Sequence, residues 1–333
     1  MSLPFPLTKL SCIAAAAFLA GCAVHHSPPD TPPATFYDTR LADASGQPLT
    51  TPGLASRLDH ADVVVIGELH GHQGAHLLEA RLQAALYHRN PDQILALEAF
   101  NLDHQAHLDQ YLAGKLGEEE MMEDAAAWEN YQASYRPLVE FARRHDLPVV
   151  AANAPSGVVR CVGREGASYL DTLPETERDA LPEQPFPEVP GYRERFMDTL
   201  GHSGHGESTE EGKRRLDNTY QAQLLRDSTM ADRILEALAT HPDHQVLMVA
   251  GAFHSEGRQG LVAVLEQQAP ELDIRVITPY MPVDDGSLEP LPAIAAGDFR
   301  YDLWPLPVRY RDGEREQAAM MERFGRAREL TCD

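Results

Sequence analysis

The chain has 333 residues, 43% of them apolar, and a formal net charge of -23. So acidic a surface repels phosphate backbones and anionic headgroups, which speaks against nucleic acid and against charge-driven membrane docking. The length suits one large α/β domain or two small ones.

Residues 1–21 carry one basic side chain, Lys9, and an apolar run from Cys12 to Leu19, and they lead through Leu19-Ala20-Gly21 into Cys22. This is the layout of a secretory signal with small residues at the cleavage site, and small residues directly before a cysteine match a bacterial lipobox. The run is far shorter than the roughly 20 residues of a membrane span. Cys22 is therefore expected to become a lipidated first residue that tethers the chain to a membrane. Ala23 behind it agrees with sorting to the outer membrane, with the domain in the periplasm or at the cell surface. Residues 22–36, with Pro28-Pro29 and Pro32-Pro33, read as a spacer.

The segment from Phe36 to Leu49 reads as a short hairpin or an extended entry, with Ala44-Ser45-Gly46-Gln47 as its turn, and Thr51 to Asp59 as a short helix. Asp62 to Ile66 is a β-branched run that suits a strand buried on both faces. It passes abruptly into Gly67-Glu68-Leu69-His70. If the backbone is still extended there, Glu68 and His70 point the same way. A helix over Ala75 to His88 follows, then a strand over Gln93 to Leu97 that also ends in a carboxylate, Glu98. Helices are expected over Leu102 to Leu112, Glu118 to Trp128 and Tyr135 to His145. A third strand, Pro148 to Ala152, ends at Asn153-Ala154-Pro155, and a helix from Gly157 to Leu170 follows.

Residues 171–206 form an irregular insertion whose prolines, from Pro174 to Pro190, bar long helix or central strand. A long helix over Glu207 to Thr240 leads to a fourth strand, Gln245 to Ala250. Behind it stands a second Gly-x-x-His phrase, Gly251-Ala252-Phe253-His254. A helix at Gly260 to Gln268, a strand at Asp273 to Thr278, a Pro-rich tail of turns and short strands from Tyr280 to Arg311 and a C-terminal helix over 313–333 complete the chain. The expectation is an α/β fold over 37–312, a mostly parallel sheet with helices on both faces plus the helical and irregular insertion. Cys161 and Cys332 are free to pair or to stay as thiols; their spacing decides nothing.

Ligands of such sheets sit beyond the carboxyl ends of the strands. Glu68, His70, Glu98, Asn153 and His254 occupy those positions. A lone histidine at a strand end is ordinarily just hydrogen-bonded. Two Gly-x-x-His endings and a glutamate at a third strand end are harder to dismiss, and Glu68, His70, Glu98 and His254 make a mixed N/O set for a metal or for general base catalysis. His72 and His76 read better as loop or cap positions, Asn153 as a turn cap, Met230 as core and Asp227 as a support for a loop or a histidine.

In their order, Gly67 to His70, Leu97-Glu98-Ala99-Phe100, Ala151 to Pro155, Asp227 to Ala231 and Gly251 to His254 resemble the ChaN family, iron-regulated haem-binding lipoproteins of the haem-binding uptake and Tiki superfamily. The resemblance runs roughly from Phe36 to Thr278. It implies haem as cofactor, a role in haem or iron acquisition, and a homodimer and a haem-transport receptor as partners. Haem needs an apolar slot and an axial His, Tyr or Met; the candidates are Tyr192, His202 and His205 in the insertion, and Tyr131 and Tyr135. The same superfamily holds Tiki-type metalloproteases with two Gly-x-x-His motifs and a glutamate, and it is similar to erythromycin esterases with a Gly-Glu-x-His motif. That side of the resemblance implies a metal-dependent hydrolase, a peptidase or esterase using Glu68, His70, Glu98 and His254 with a Zn, Mn or Co ion. A likeness of fold does not by itself choose between the two.

Overall fold

Val63–Glu68 (β3) is the third strand in order but lies inside the sheet, buried along its whole length. The computed structural model describes residues 33–201, 209–281, 294–328 and 331–332. Their eight strands form one sheet in the order β2-β1-β8-β7-β3-β6-β4-β5. The strands are Thr39–Asp43 (β1), Pro48–Leu49 (β2), β3, Gln93–Asn101 (β4), Val149–Asn153 (β5), Gln245–Gly251 (β6), Ile274–Tyr280 (β7) and Phe299–Leu303 (β8). Pairing is parallel from β5 through to β8; only β1 runs antiparallel, against β8 and β2.

The crossovers explain what meets at the rim. The chain leaves β3, makes β4 and β5 on one side, then returns to slot β6 between β3 and β4. Glu68 is in register with Gly251, and Leu97 with Val249. So the two Gly-x-x-His phrases follow neighbouring parallel strands, and the strand carrying Glu98 is next to them. β4 has an irregularity between Leu97 and Asn101 where it pairs with β5, beside Glu98, a device often found next to functional groups.

Helices cover both faces, and the alternation of strand side chains divides the core in two. Val64, Ile66, Leu95, Leu97, Leu247 and Val249 pack with Leu78, Leu82 and Leu86 of Gln73–Tyr87 (α1) and with Leu138 and Val139 of Arg136–Arg144 (α2). Val63, Val65, Ile94, Ala96, Val246 and Met248 pack with Leu224, Met230 and Ile234 of Glu210–Thr240 (α3) and with Leu261 and Leu265 of Leu261–Gln268 (α4). Ser156–Glu165 (α5) lies against α3 through Val159, Val162, Ala222 and Leu225. None of the described helices is long and apolar enough to cross a membrane.

Several expectations need correction. The helix starting at Glu118 stops at Asp124, since Ala126 takes a positive φ of 46°. The irregular insertion contains two helices, Glu175–Asp179 and Tyr192–Gly201. One short strand of the kind expected in the Pro-rich tail is present as β8, and it lies buried between β7 and β1. Cys161 and Cys332, whose pairing the sequence left open, are joined in a disulfide.

Candidate functional site at the carboxyl rim of the sheet

β3 ends at Glu68, and the chain turns at Gly71 with φ of 78° before α1 begins. His72 caps that helix, its Nδ1 accepting from Gly74 N at 3.1 Å, as a cap histidine should. His70 stands at the turn, its side chain 46% exposed. Its Nδ1–H donates to Glu68 Oε1 at 2.6 Å, and its ring meets Trp128 edge-on with centroids 5.0 Å apart. Among the described residues its Nε2 has no hydrogen-bond partner. The other edge of the ring lies over Gly251, where a Cβ would come within 2.8 Å of Nε2. A bare glycine there lets the first histidine keep this position, which gives the glycine of the second phrase its purpose. Burial lowers the proton affinity of His70, but the bond to Glu68 and the charge of Glu98 raise it further, so the net direction is up.

Glu68 is buried, and its Oε1 also accepts from the Tyr135 hydroxyl at 2.5 Å. Burial pushes this carboxyl up, but the hydrogen bond from His70 and the closeness of the His76 ring outweigh it and bring it down to about 2. α1 brings up two further buried groups. His76 Nδ1 lies 2.9 Å from Glu79 Oε2 and 3.2 Å from Glu68 Oε2. Gly71 N–H donates to His76 Nε2 at 3.0 Å, which fixes the ring as the neutral Nδ1–H tautomer. The two carboxylates pull the proton affinity of that ring upward against its burial, yet the amide at Nε2 leaves no room there for a second proton. Glu79 is raised to about 8, by burial first and by the charge of Glu68 second, with the His76 ring pulling the other way.

Glu98 lies on the other face. Counting by twos, Glu68 follows Val64 and Ile66, whereas Glu98 follows Ile94 and Ala96, and these pairs belong to opposite halves of the core. Glu98 Oε2 accepts from Gly251 N at 2.6 Å and its Oε1 is 3.4 Å from His254 Nε2. His254 donates from Nδ1 to Asp227 Oδ1 at 2.6 Å. Burial works against the charge on each partner, but attraction wins for two of them: Glu98 falls to about 2 and His254 rises to about 10. Asp227, wholly buried, is raised, chiefly by burial. Asn153 ties the ends of β4 and β5 by donating to the Glu98 carbonyl and accepting from Ala154 N and from Arg226.

The expected quartet is therefore brought to one rim but not to one point. Glu68 with His70, and Glu98 with His254, approach from the two faces of the sheet, and His70 leans across Gly251 toward the second pair. The one group of donors close enough to share a metal ion, among the described residues, is Glu68, His76 and Glu79. The four expected metal ligands form no such group among the described residues. Tyr192 is fully buried and its hydroxyl donates to Asp227 Oδ2 at 2.8 Å, so it steadies the partner of His254. Tyr131 and Tyr135 are buried too. Cys22, His202 and His205 lie outside the described residues. Asp227 does hold a histidine. His76 and Glu79 were passed over as site residues, although a glutamate on the apolar stripe of Leu78, Leu82 and Leu86 was a readable sign. Two surface cavities, of about 510 and 360 Å³, lie elsewhere, beside Arg178 and Asp232 and beside Glu256 and Thr278.

Comparisons with known proteins agree with this architecture. The family model described as "Haem-binding uptake, Tiki superfamily, ChaN" matches residues 54–265. The fold is similar to a structure described as cofacial heme binding to ChaN of Campylobacter jejuni, with 18% identity and a TM-score of 0.57 over 81% of this chain and 98% of that one. It is more remotely similar to an erythromycin esterase mutant in its open conformation, with 15% identity and a TM-score of 0.42 over 84% and 86% of the two chains. In sequence it is 28% identical over 193 residues to Protein RETICULATA-RELATED 5, chloroplastic, of Arabidopsis thaliana, covering 53% of this chain and 24% of that protein. The chain thus spans about a quarter of the length of that relative.

Proposed function

This chain belongs to the ChaN family of the haem-binding uptake and Tiki superfamily, and from that premise we propose that it is a haem-binding lipoprotein of haem and iron acquisition, with His70 as the residue that meets the iron. One observation carries the assignment. His70 is the half-exposed imidazole of the rim, with Nδ1 tied to the Glu68 carboxylate and Nε2 free of protein partners. A histidine that ligates a metal commonly gives its other ring N–H to a carboxylate, which fixes the tautomer and makes the ligating nitrogen more basic. The donor set fits the group: His70 would hold the iron, Trp128 beside it would supply apolar wall, and Glu68 with Tyr135 would keep the ring in place. Bound haem supplies an iron centre that can be carried and handed on.

The rest of the reading concerns place and partners. Cys22 is the lipid anchor, and the domain hangs from the outer membrane in the periplasm or at the cell surface. A receptor takes the haem onward, and a homodimer belongs to the same reading. The lipobox supports this, as does the Cys161–Cys332 disulfide, since disulfides persist in oxidising compartments. Loss of fatty-acid labelling in Cys22→Ser cells is the expected result.

Haemin titration tests the central claim. The mature protein should develop a Soret band at one defined stoichiometry, His70→Ala should lose it, and Tyr192→Phe should keep it. An unaltered titration of His70→Ala would remove His70 from the site. The rival reading, a metal-dependent hydrolase of peptides or esters, needs the four rim residues to act on one point, and it would gain ground if Soret binding were absent and a hydrolytic activity disappeared in His254→Ala.

A further inference from the structure

Below the rim, between β3 and α1, lies a set of donors of which the haem reading uses only Glu68, and that through its other oxygen. Glu68, His76 and Glu79 are all buried, and one ligand atom from each lies within 4.8 Å of the others. Two carboxylate oxygens of this set, Glu68 Oε2 and Glu79 Oε1, are buried and have no hydrogen-bond partner. Buried polar atoms are nearly always paired, so two orphaned oxygens in one cluster point to a missing positive partner. The side chains reach the spot from rigid elements: Glu68 from the end of a central strand, His76 and Glu79 from successive turns on one face of α1.

We propose that Glu68, His76 and Glu79 form a buried site for one divalent transition-metal ion, distinct from the rim where His70 stands. Two carboxylates and an imidazole suit zinc, manganese or cobalt, with water completing the shell. The proton balance is explicit. His76 binds through Nδ1, so its single ring proton moves to Nε2, and any proton on Glu79 leaves to solvent. The Gly71 amide that now donates to Nε2 has to turn away. Gly71 is suited to that, with a positive φ of 78° and nothing within 4 Å of where a Cβ would stand. Glu68 would then join two centres. Its Oε1 already accepts from His70 and Tyr135, and its Oε2 would face the ion. The ion would thereby hold the carboxylate that orients His70.

The test uses the untagged mature chain and three variants, each checked by circular dichroism for folding. Protein incubated with zinc or manganese and passed through a desalting column is assayed for metal by plasma mass spectrometry, and its thermal midpoint is compared with chelator-treated protein. Wild type and His70→Ala should each retain one ion per chain and melt higher when loaded. Glu79→Gln and His76→Gln should retain less than a tenth of an ion and show no metal-dependent rise. Wild type without a stoichiometric ion overturns the site, and the carboxyl pair is then held together by a shared proton. Retention in Glu79→Gln together with loss in His70→Ala also overturns it, by moving the ion to the rim. Haem binding fails or stands on His70→Ala in a separate titration, so the two readings are judged apart.

Discussion

At the scale of single residues, the rim depends on a glycine and on a buried pair of charges. Gly251 is bare because the His70 ring lies over it. A methyl there would sit 2.8 Å from Nε2 and 3.1 Å from Cε1. The half-exposed ring can swing away, so Gly251→Ala should cost about 1 kcal/mol or less of stability, the small end of overpacking effects. Its haemin affinity should nonetheless fall at least tenfold, because the ring that swings away leaves Glu68. Parallel urea melts and Soret titrations would separate the two effects. The Glu98–His254 pair gives a pH signature. Glu98 is depressed to about 2 from 4.5, so its stabilisation is present above pH 4.5 and is lost as the pH falls toward 2. His254 is raised to about 10 from 6.5, so its share is whole below pH 6.5 and is lost as the pH rises toward 10. Breaking a buried pair costs about 3–5 kcal/mol. His254→Gln should therefore be destabilised by that order at pH 6, with a gap to wild type that narrows steadily up to pH 10. A gap independent of pH would show that His254 carries no charge in the native state.

At the scale of elements, the sequence was most readable where burial is continuous. The apolar runs at Val63, Gln93, Val149 and Gln245 all became strands, because a strand covered on both faces has little choice but to be apolar. The two Gly-x-x-His phrases stand at strand ends as read, whereas Glu98 lies within β4, which runs on to Asn101. What could not be read was strand order. Until β6 is known to lie between β3 and β4, nothing says which phrases adjoin, and nothing says that Glu68 and Glu98 face opposite helical layers. The tail read as turns and short strands, but the burial of β8 inside the sheet was not legible, because Arg300 and Asp302 look like surface residues. They are buried because Arg40 and Arg300 both bond to Asp302. The start of α1 illustrates how such long-range packing constrains one position. A Cβ on Gly74 would meet the carbonyl oxygen of Phe36 at 2.8 Å and that of Asp38 at 3.2 Å. Both are backbone atoms of the segment leading into β1, and neither can rotate aside. Gly74→Ala, a favourable change for an isolated helix, should here lower the unfolding free energy by about 1–3 kcal/mol. The urea midpoint would move down with an unchanged slope. A rise in stability would mean that the entry segment is not packed on α1.

At the scale of the whole molecule, one covalent bond reaches across what the sheet does not. Cys161 sits buried on α5, and Cys332 lies beyond the last helix, Gly313–Arg328, at a sequence separation of 171. Nothing in the spacing of the cysteines announced this bond, since pairing depends on distance in the fold. Its contribution follows from the loop it closes. Closing a loop of this length removes enough freedom from the unfolded chain to stabilise the native state by up to about 5 kcal/mol, and measured values run from about 2 to 5. Cys332→Ser should therefore unfold at lower urea, with a loss in that range, and wild type kept in excess reductant should approach the variant. Haemin binding should not change in either case. The groups that hold His70 come from β3, β6 and the helices between them, and neither cysteine touches them. Equal stability of Cys332→Ser and oxidised wild type would show that the C-terminal helix is docked without its bond. A parallel loss of the Soret band would show that α5, which carries Cys161, transmits strain through Asn153 to the rim. The expected outcome, a weaker fold with an intact haem site, makes the disulfide a clamp on the chain's far end and leaves the binding geometry to the central strands.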